Sequence, residues 1–257
     1  MIVHRIVARN TATASPNKIH DSSVARSYGF AGGLVPGVTV FAWMCGPALE
    51  ILGAGSLERG RIEARFVRPV YEADRVEVEG VLGEDGAVAL TVRKGDEICA
   101  TGAASLVDDG WEPDVPPRAP VPAALPAASV DSLTPGTVLG SLEVPFDLGG
   151  AREYLVSVGA EHAPGTGGAA HPGWLILLAN LALSSNVVLG PWIHVSSDMR
   201  LFATLVDGEL VAARTRVAAE YQRKGHRYVE LDVVLLAEEV RPVAVIRHTA
   251  IYEPRKP

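Results

Sequence analysis

Residues 172–178 read PGWLILL and begin an apolar stretch in the second half of the chain. The apolar run that starts at Trp174 predicts a helix that extends to about Leu189. A helix that lies on a protein surface has a polar face, whereas this one is apolar on every side. The run from Trp174 to Leu183 is only about half of the roughly 20 residues that a membrane span needs. The stretch therefore predicts a core helix that is wrapped by a sheet.

A second Pro-Gly pair opens a similar helix in the first half of the chain. Pro36-Gly37 precedes residues 38–52, in which apolar side chains recur at helical spacing. Four segments with strand-like composition follow each helix, separated by turn signals such as Glu84-Asp85-Gly86. The predicted strands are 61–70, 75–82, 87–92 and 98–106 in the first half, and 193–202, 210–220, 227–236 and 243–251 in the second. One helix and four strands, given twice, indicate a fusion of two copies of one gene.

The two copies are separated by a segment rich in proline and alanine. Residues 108–140 have a composition that favours neither helix nor sheet, and they predict an extended linker. The chain has 257 residues, of which 48% are hydrophobic, and can bury a core in each half. We predict an α+β fold with one domain over residues 1–107 and another over residues 141–257. Each has an antiparallel sheet wrapped around a central apolar helix.

The motif that carries chemistry lies at the start of the first helix. Residues 17–21 read NKIHD, and residues 33–37 read GLVPG. The first N–H groups of a helix have no acceptor within it, and a glycine at that point lets an oxygen atom approach closely. A developing negative charge would also meet the positive end of the helix dipole. A histidine beside such a helix end predicts a site that polarises a carbonyl group.

This motif resembles the signature of the MaoC-like (R)-specific enoyl-CoA hydratases and dehydratases, Asp-x-Asn-Pro-x-His followed by Gly-Phe and an apolar-Gly pair. In this resemblance His20 takes the place of the histidine, Asn17 that of the asparagine, and Gly37 that of the glycine whose N–H forms the oxyanion hole. Ser15 stands where the signature has its catalytic aspartate, and Lys18 stands where it has proline. In the second half, residues 190–194 (GPWIH) and 221–226 (YQRKGH) are similar to the C-terminal half of double hot-dog proteins.

The resemblance implies a double hot-dog fold and a lyase that adds or removes water next to a thioester carbonyl. It implies an acyl-CoA or acyl-carrier-protein substrate of fatty acid or polyketide metabolism and no cofactor. Asp21 is the local candidate to replace the missing carboxylate, although adjacent residues point apart in a strand or a helix. The site residues also have structural interpretations, in which Asp21 caps a helix, Asn17 closes an Asx-turn and Gly37 is a packing glycine.

Three functions remain open at this point. The first is the hydratase or dehydratase, with His20 as base. The second is a hot-dog enzyme of different chemistry, such as a thioesterase, a cyclase or an isomerase of secondary metabolism. The third is a non-catalytic subunit that binds acyl thioesters. The substitution Ser15→Asp would distinguish these three functions, because a restored aspartate should raise hydration only if the rest of the site is intact.

Two further features of the second half bear on the site. Arg223 and Lys224 belong to the densest positive cluster of the chain, which predicts either a binding patch for substrate phosphates or a solvated hairpin turn around Gly225. His171 precedes Pro172-Gly173 as Val35 precedes Pro36-Gly37, but no Asn-x-x-His motif lies upstream of it. We therefore expect one active site per chain, which is built mainly from the first half and covered by the second half.

Composition excludes several other classes of protein. A net charge of −7 argues against nucleic acid as the main partner. Cys45 and Cys99 fit reduced thiols in a cytoplasmic protein without a membrane segment. Neither a dinucleotide motif, a phosphate loop nor a nucleophile elbow occurs, and the scattered histidines His4, His162, His194 and His248 predict no metal site. The sequence leaves open whether two chains pair as a homodimer.

Overall fold

The computed structural model describes residues 1–161 and 168–256. Within these residues a single antiparallel sheet of ten strands has the order β1-β3-β4-β5-β2-β7-β10-β9-β8-β6. The strands are β1 (Ile2–Val7), β2 (Gly60–Phe66), β3 (Arg75–Leu82), β4 (Val88–Lys94), β5 (Glu97–Leu106), β6 (Val138–Pro145), β7 (Ile193–Leu201), β8 (Leu210–Arg223), β9 (His226–Ala237) and β10 (Arg241–Glu253). The helices are α1 (Ser22–Ser27), α2 (Gly37–Leu52), α3 (Ser56–Arg59), α4 (Leu148–Val158) and α5 (Pro172–Ser184), and a 3-10 turn covers Lys18–His20.

Each half of this sheet curls around its own long helix. In the first half α2 contacts all five strands from β1 to β5, and in the second α5 contacts β6, β8, β9 and β10. Residues 38–49 of α2 are all buried, as expected for a helix that is apolar on every side. The two predicted sheets are continuous, because β2 pairs with β7 from Arg61 opposite Arg200 to Arg65 opposite Ser196.

The two central helices also pack directly against each other. A Cβ atom added to Gly173 would lie 2.5 Å from the Cβ of Ala42, so only glycine permits this approach of α5 to α2. The Trp43 indole of α2 donates a hydrogen bond to the carbonyl of Val158 at the end of α4. The halves therefore share one core, in which Cys45 and Cys99 are buried free thiols.

Several predicted boundaries differ from the observed ones. Helix α5 ends at Ser184 and not near Leu189, because the side chain of Asn186 bonds the backbone of Gly140 and Val188 donates to the carbonyl of Pro126. Strand β2 ends at Phe66, and Val67 and Arg68 both donate to the carbonyl of Cys99.

The sequence-based expectation lacked two strands, the helix α4 and the single-turn helix α3. Strands β1 and β6 are the two edges of the sheet, and α4 lies between β6 and α5. Because β6 begins at Val138, it takes the last residues of the segment predicted as linker. Among the described residues, no helix combines the length and apolar character needed to span a bilayer.

Candidate active site

Asn17 joins the N-terminal motif to the second half of the chain. Its Oδ1 accepts hydrogen bonds from the N–H of Ile19 at 3.3 Å and from the N–H of Trp192 at 3.1 Å, and its Nδ2 donates to the carbonyl of Trp192 at 2.9 Å. Asn17 thus closes the turn that carries His20 and also fixes that turn against the loop before β7. This single side chain serves both the turn and the site.

The hydrogen bonds of His20 determine which ring nitrogen is available for chemistry. Nδ1 lies 2.7 Å from the carbonyl oxygen of Leu34, which can only accept, so Nδ1 carries the proton. The lone pair is then on Nε2, which accepts a long hydrogen bond of 3.3 Å from Nδ2 of Asn17. Burial lowers the pKa of His20, against the opposing effect of the hydrogen bond to Leu34. The imidazole is therefore neutral at neutral pH and has the form of a general base.

The N-terminus of α2 provides donors with no acceptor inside the helix. Pro36 is the N-cap, and its carbonyl accepts from the N–H groups of Thr39 and Val40, which leaves those of Gly37 and Val38 without an intrahelical acceptor. Gly37 is also a packing glycine, because a Cβ atom there would lie 2.8 Å from Nδ1 of His194. Both interpretations of Gly37 therefore fit the geometry.

Two cavities adjoin at His20. The first, of about 250 Å³, reaches the start of α2 and is lined by Gly37 and His194 among others. The second, of about 650 Å³, extends along α5 and is lined largely by apolar side chains, including Leu177 and Leu181. The residues that line both are Asn17, His20, Pro36, Asn180 and Trp192. These five residues, which we call the junction, place the base where the two cavities meet.

Neither cavity is lined by a carboxylate of the described residues. Ser15 lines the second cavity, and its Oγ accepts a hydrogen bond from the N–H of Asn17 at 3.2 Å. Asp21 lines neither cavity. It is the N-cap of α1, and hydrogen bonds from the hydroxyl of Ser23 and the N–H of Val24 hold its pKa below the usual value. Of the two candidate positions for an acid, only Ser15 therefore reaches a cavity.

Arg223 and Lys224 lie at the tight turn between β8 and β9. Lys224 and Gly225 both have positive φ angles, of 52° and 81°, as a two-residue hairpin turn requires. Neither cation lines a cavity, but His226 on the same hairpin lines the first one. The Nδ1 of His226 accepts from the N–H of Arg255 at 3.0 Å, which brings the C-terminal segment to the same place. The predicted positive cluster therefore lies on a hairpin that lines part of the first cavity.

Two of the histidines that are scattered in the sequence lie together in the fold. The rings of His194 and His248 lie 4.2 Å apart, and the hydroxyl of Ser197 lies 2.8 Å from Nε2 of His194 and 3.0 Å from Nδ1 of His248. Burial lowers the pKa of His248 to about 3 and that of His194 well below its usual value.

Sequence reasoning could not place this pair together. His194 and His248 lie on β7 and β10, and only the pairing of these strands brings them into contact. Within residues 1–161 and 168–256, no group of three metal-ligating side chains occurs. His162 lies outside the described residues.

Sequence comparison finds no matching family model and no matching curated protein. Solved structures do match over most of the chain. Rv0216 of Mycobacterium tuberculosis, described as having a double hot-dog fold, is 16% identical and superposes with a TM-score of 0.65 over 97% of this chain and 95% of that one. A protein described as a MaoC-like dehydratase is 14% identical, with a TM-score of 0.58 over 98% of both chains.

An acyl-CoA thioesterase II from Mycobacterium marinum shares the architecture as well. It is 13% identical, with a TM-score of 0.52 over 86% of this chain and 90% of that one. At such identities the likeness shows the fold alone. The chain has the double hot-dog fold that the sequence motif implied.

Proposed function

We propose that this double hot-dog protein is an acyl-thioester enzyme that adds water to, or removes it from, a double bond conjugated to the thioester carbonyl. The observation that carries the proposal is the hydrogen bond from Nδ1 of His20 to the carbonyl of Leu34, which leaves a neutral Nε2 as base at the junction. The N-terminus of α2, at Gly37, lines the same cavity as His20 and offers N–H donors to a thioester oxygen.

The steps of hydration follow from these two groups. Nε2 of His20 takes a proton from water while the water oxygen bonds to the β-carbon. The electron pair of the double bond moves onto the thioester oxygen, where the Gly37 N–H and the helix dipole stabilise the enolate. The imidazolium of His20 then returns its proton to the α-carbon, so that one water molecule has been added and the base is regenerated. Dehydration is the reverse sequence.

The two cavities suggest how the substrate lies. The hairpin that carries Arg223 and Lys224 is close to the first cavity, and phosphate groups of coenzyme A or of a carrier-protein arm would bind there. The acyl chain would then pass His20 and enter the second cavity, where apolar side chains of α5 and of the linker, such as Leu181 and Leu125, line the wall. In this arrangement the thioester group lies at the junction.

The test is the loss of conjugated enoyl absorbance with trans-2-enoyl-CoA substrates of increasing chain length. We expect His20→Ala to lower kcat by about 10² to 10⁴-fold, since that is the usual contribution of a general base. Because burial lowers the pKa of His20, the acid limb of the rate profile of the wild type should lie below pH 6.5. Unchanged turnover in His20→Ala would contradict the proposal.

Hydrolysis of the thioester is the second candidate function. It is favoured by Ser15, because the position that carries the family aspartate holds an uncharged side chain, and by the architecture shared with a thioesterase. Release of free thiol from saturated acyl-CoA, lost in His20→Ala, would identify this reaction. Ser15→Asp should then leave hydrolysis without gain, whereas it should raise hydration in a hydratase site. Binding of acyl-CoA without either reaction would indicate a thioester-binding subunit.

A further inference from the structure

Asn180 is a polar side chain of the junction that has no role in the steps of hydration. It lies in α5, whose other residues from Trp174 to Leu183 are apolar, and it lines both cavities beside His20. Its Oδ1 is buried and has no hydrogen-bond partner among the described residues. A buried amide oxygen without a partner destabilises a fold, and in a native protein it indicates a function or a bound molecule.

A second asparagine shows what a structural amide looks like in the same region. Asn186 follows α5 and is fully buried, and its Oδ1 accepts from the N–H of Gly140 at 2.6 Å. Its Nδ2 donates to the carbonyls of Gly140 at 3.0 Å and Ala182 at 2.9 Å. Asn186 thus has its amide satisfied on both sides and explains the end of the helix, whereas Asn180 has no such explanation.

We propose that the carboxamide of Asn180 binds the water molecule that His20 activates, and so performs the water-holding part of the work of the missing aspartate. The inference rests on the proposed function. No protein hydrogen bond holds the carboxamide among the described residues, so it can rotate to present to the junction either its N–H or its oxygen, which is buried as it stands. A cavity water needs two to four polar partners, and Nε2 of His20 with the Asn180 amide supplies two.

The division of labour follows from the chemistry of an amide. A carboxamide neither gains nor loses a proton near neutral pH, so it can orient water but cannot deprotonate it. The proton of the water must pass to Nε2 of His20, and the oxygen lone pair must point at the carbon that is attacked. Asn180 would thus fix the position of the oxygen, while His20 alone carries the proton. Ser15, which accepts from the N–H of Asn17, is not required for either step.

The first experiment is a high-resolution crystal structure of the wild-type protein and of Asn180→Leu, each without substrate. We expect an ordered water within about 3.2 Å of both the Asn180 amide and Nε2 of His20 in the wild type, and none there in the variant. A junction without that water in the wild type overturns the inference, whatever the activity of the protein. The water in a protein that turns over no acyl thioester would instead preserve the binding site and overturn the proposed function.

The second experiment compares activity with stability. Asn180→Leu is nearly isosteric and loses no hydrogen bond to the protein, so its Tm should not fall. Its kcat should fall about 100-fold with KM within threefold, because the attacking water is no longer oriented. Asn186→Leu is the matched control, and it should lower Tm while kcat of the folded protein stays within threefold. An active enzyme whose kcat is unchanged in Asn180→Leu would overturn the role.

Discussion

Both central helices begin at a Pro-Gly pair, but a side chain caps the N-terminus of only one of them. At α2 the N-cap is Pro36, no side chain caps the helix, and Gly37 lines a cavity. At α5 the buried ring of His171 is the N-cap, and its Nδ1 accepts from the N–H of Gly173 at 2.9 Å. The first helix end is therefore open to a ligand, and the second is closed by its own chain.

The position of the histidine near each helix explains this difference. His171 directly precedes its proline and folds back onto the helix, whereas His20 lies on a separate turn and is held away from α2 by the carbonyl of Leu34. The same residue type thus satisfies the donors of one helix and leaves those of the other available. This difference between the two helix ends fits the proposal of one site in each chain.

Matched substitutions at Gly37 and Gly173 test most directly whether the two helix ends differ in function. Gly37→Ala should lower activity about 100-fold, because the new Cβ, 2.8 Å from His194, must displace that ring or the helix end. Gly173→Ala should destabilise the fold more, by about 2–3 kcal/mol, since its Cβ meets the backbone of Ala42 at 2.9 Å. The measurements are kcat/KM and denaturant unfolding.

If only the N-terminus of α2 takes part in the reaction, the two glycine variants should differ in activity. The folded Gly173→Ala protein should keep kcat/KM within about threefold of the wild type. Equal loss of activity in the two variants would mean that both helix ends contribute to the reaction, and the comparison would fail.

The N-terminus of α5, which His171 caps, leads to a prediction about the stability of the protein at low pH. Burial lowers the pKa of His171 to about 4, from about 6.5 in the unfolded chain. Between these values the unfolded state binds more protons, so the free energy of unfolding falls as pH decreases below 6.5. His171→Asn keeps an acceptor for the N–H of Gly173 but does not titrate.

From pH 7 to pH 5 the wild type should therefore lose about 2 kcal/mol more stability than His171→Asn. Denaturant unfolding at both pH values measures this difference. A gap between the two proteins that does not change with pH would show that His171 is not buried as a neutral ring. Activity at pH 7 should be the same in both proteins.

Much of the architecture could be predicted because each half repeats a strong local pattern. The helix of residues 172–184 is apolar on every side, and the strands β3 and β8 were expected within a few residues of their observed bounds. The edge strands β1 and β6 were missed, since an edge strand forms by pairing with its neighbour and its own pattern is weak. Composition therefore describes the centre of this fold better than its margins.

The residues of the candidate site likewise fall into two groups, those that one motif contains and those that only the fold brings together. His20, Asn17 and Gly37 come from one short motif, so the sequence could place them together. Contacts across strands carry no local signal, and the contact between the rings of His194 and His248 became visible only in the folded chain. Asn180 was hidden for another reason, because one amide within an apolar run does not change the interpretation of that run as a core helix.

The smallest of the predicted effects concerns how substrate reaches the open end. If phosphates bind at the hairpin near the first cavity, the double variant Arg223→Glu, Lys224→Glu should raise KM for an acyl-CoA about tenfold, since each exposed ion pair contributes up to about 1 kcal/mol. Added salt should raise the KM of the wild type and leave that of the variant nearly constant, because exposed charges are screened.

The control is Arg5→Glu, Arg9→Glu, which changes the net charge equally at exposed positions that line neither cavity. Equal KM values in the two double variants would mean that the hairpin is only a solvated turn. A KM raised in the hairpin variant alone would establish the first cavity as the phosphate side of the site and assign the acyl chain to the cavity along α5.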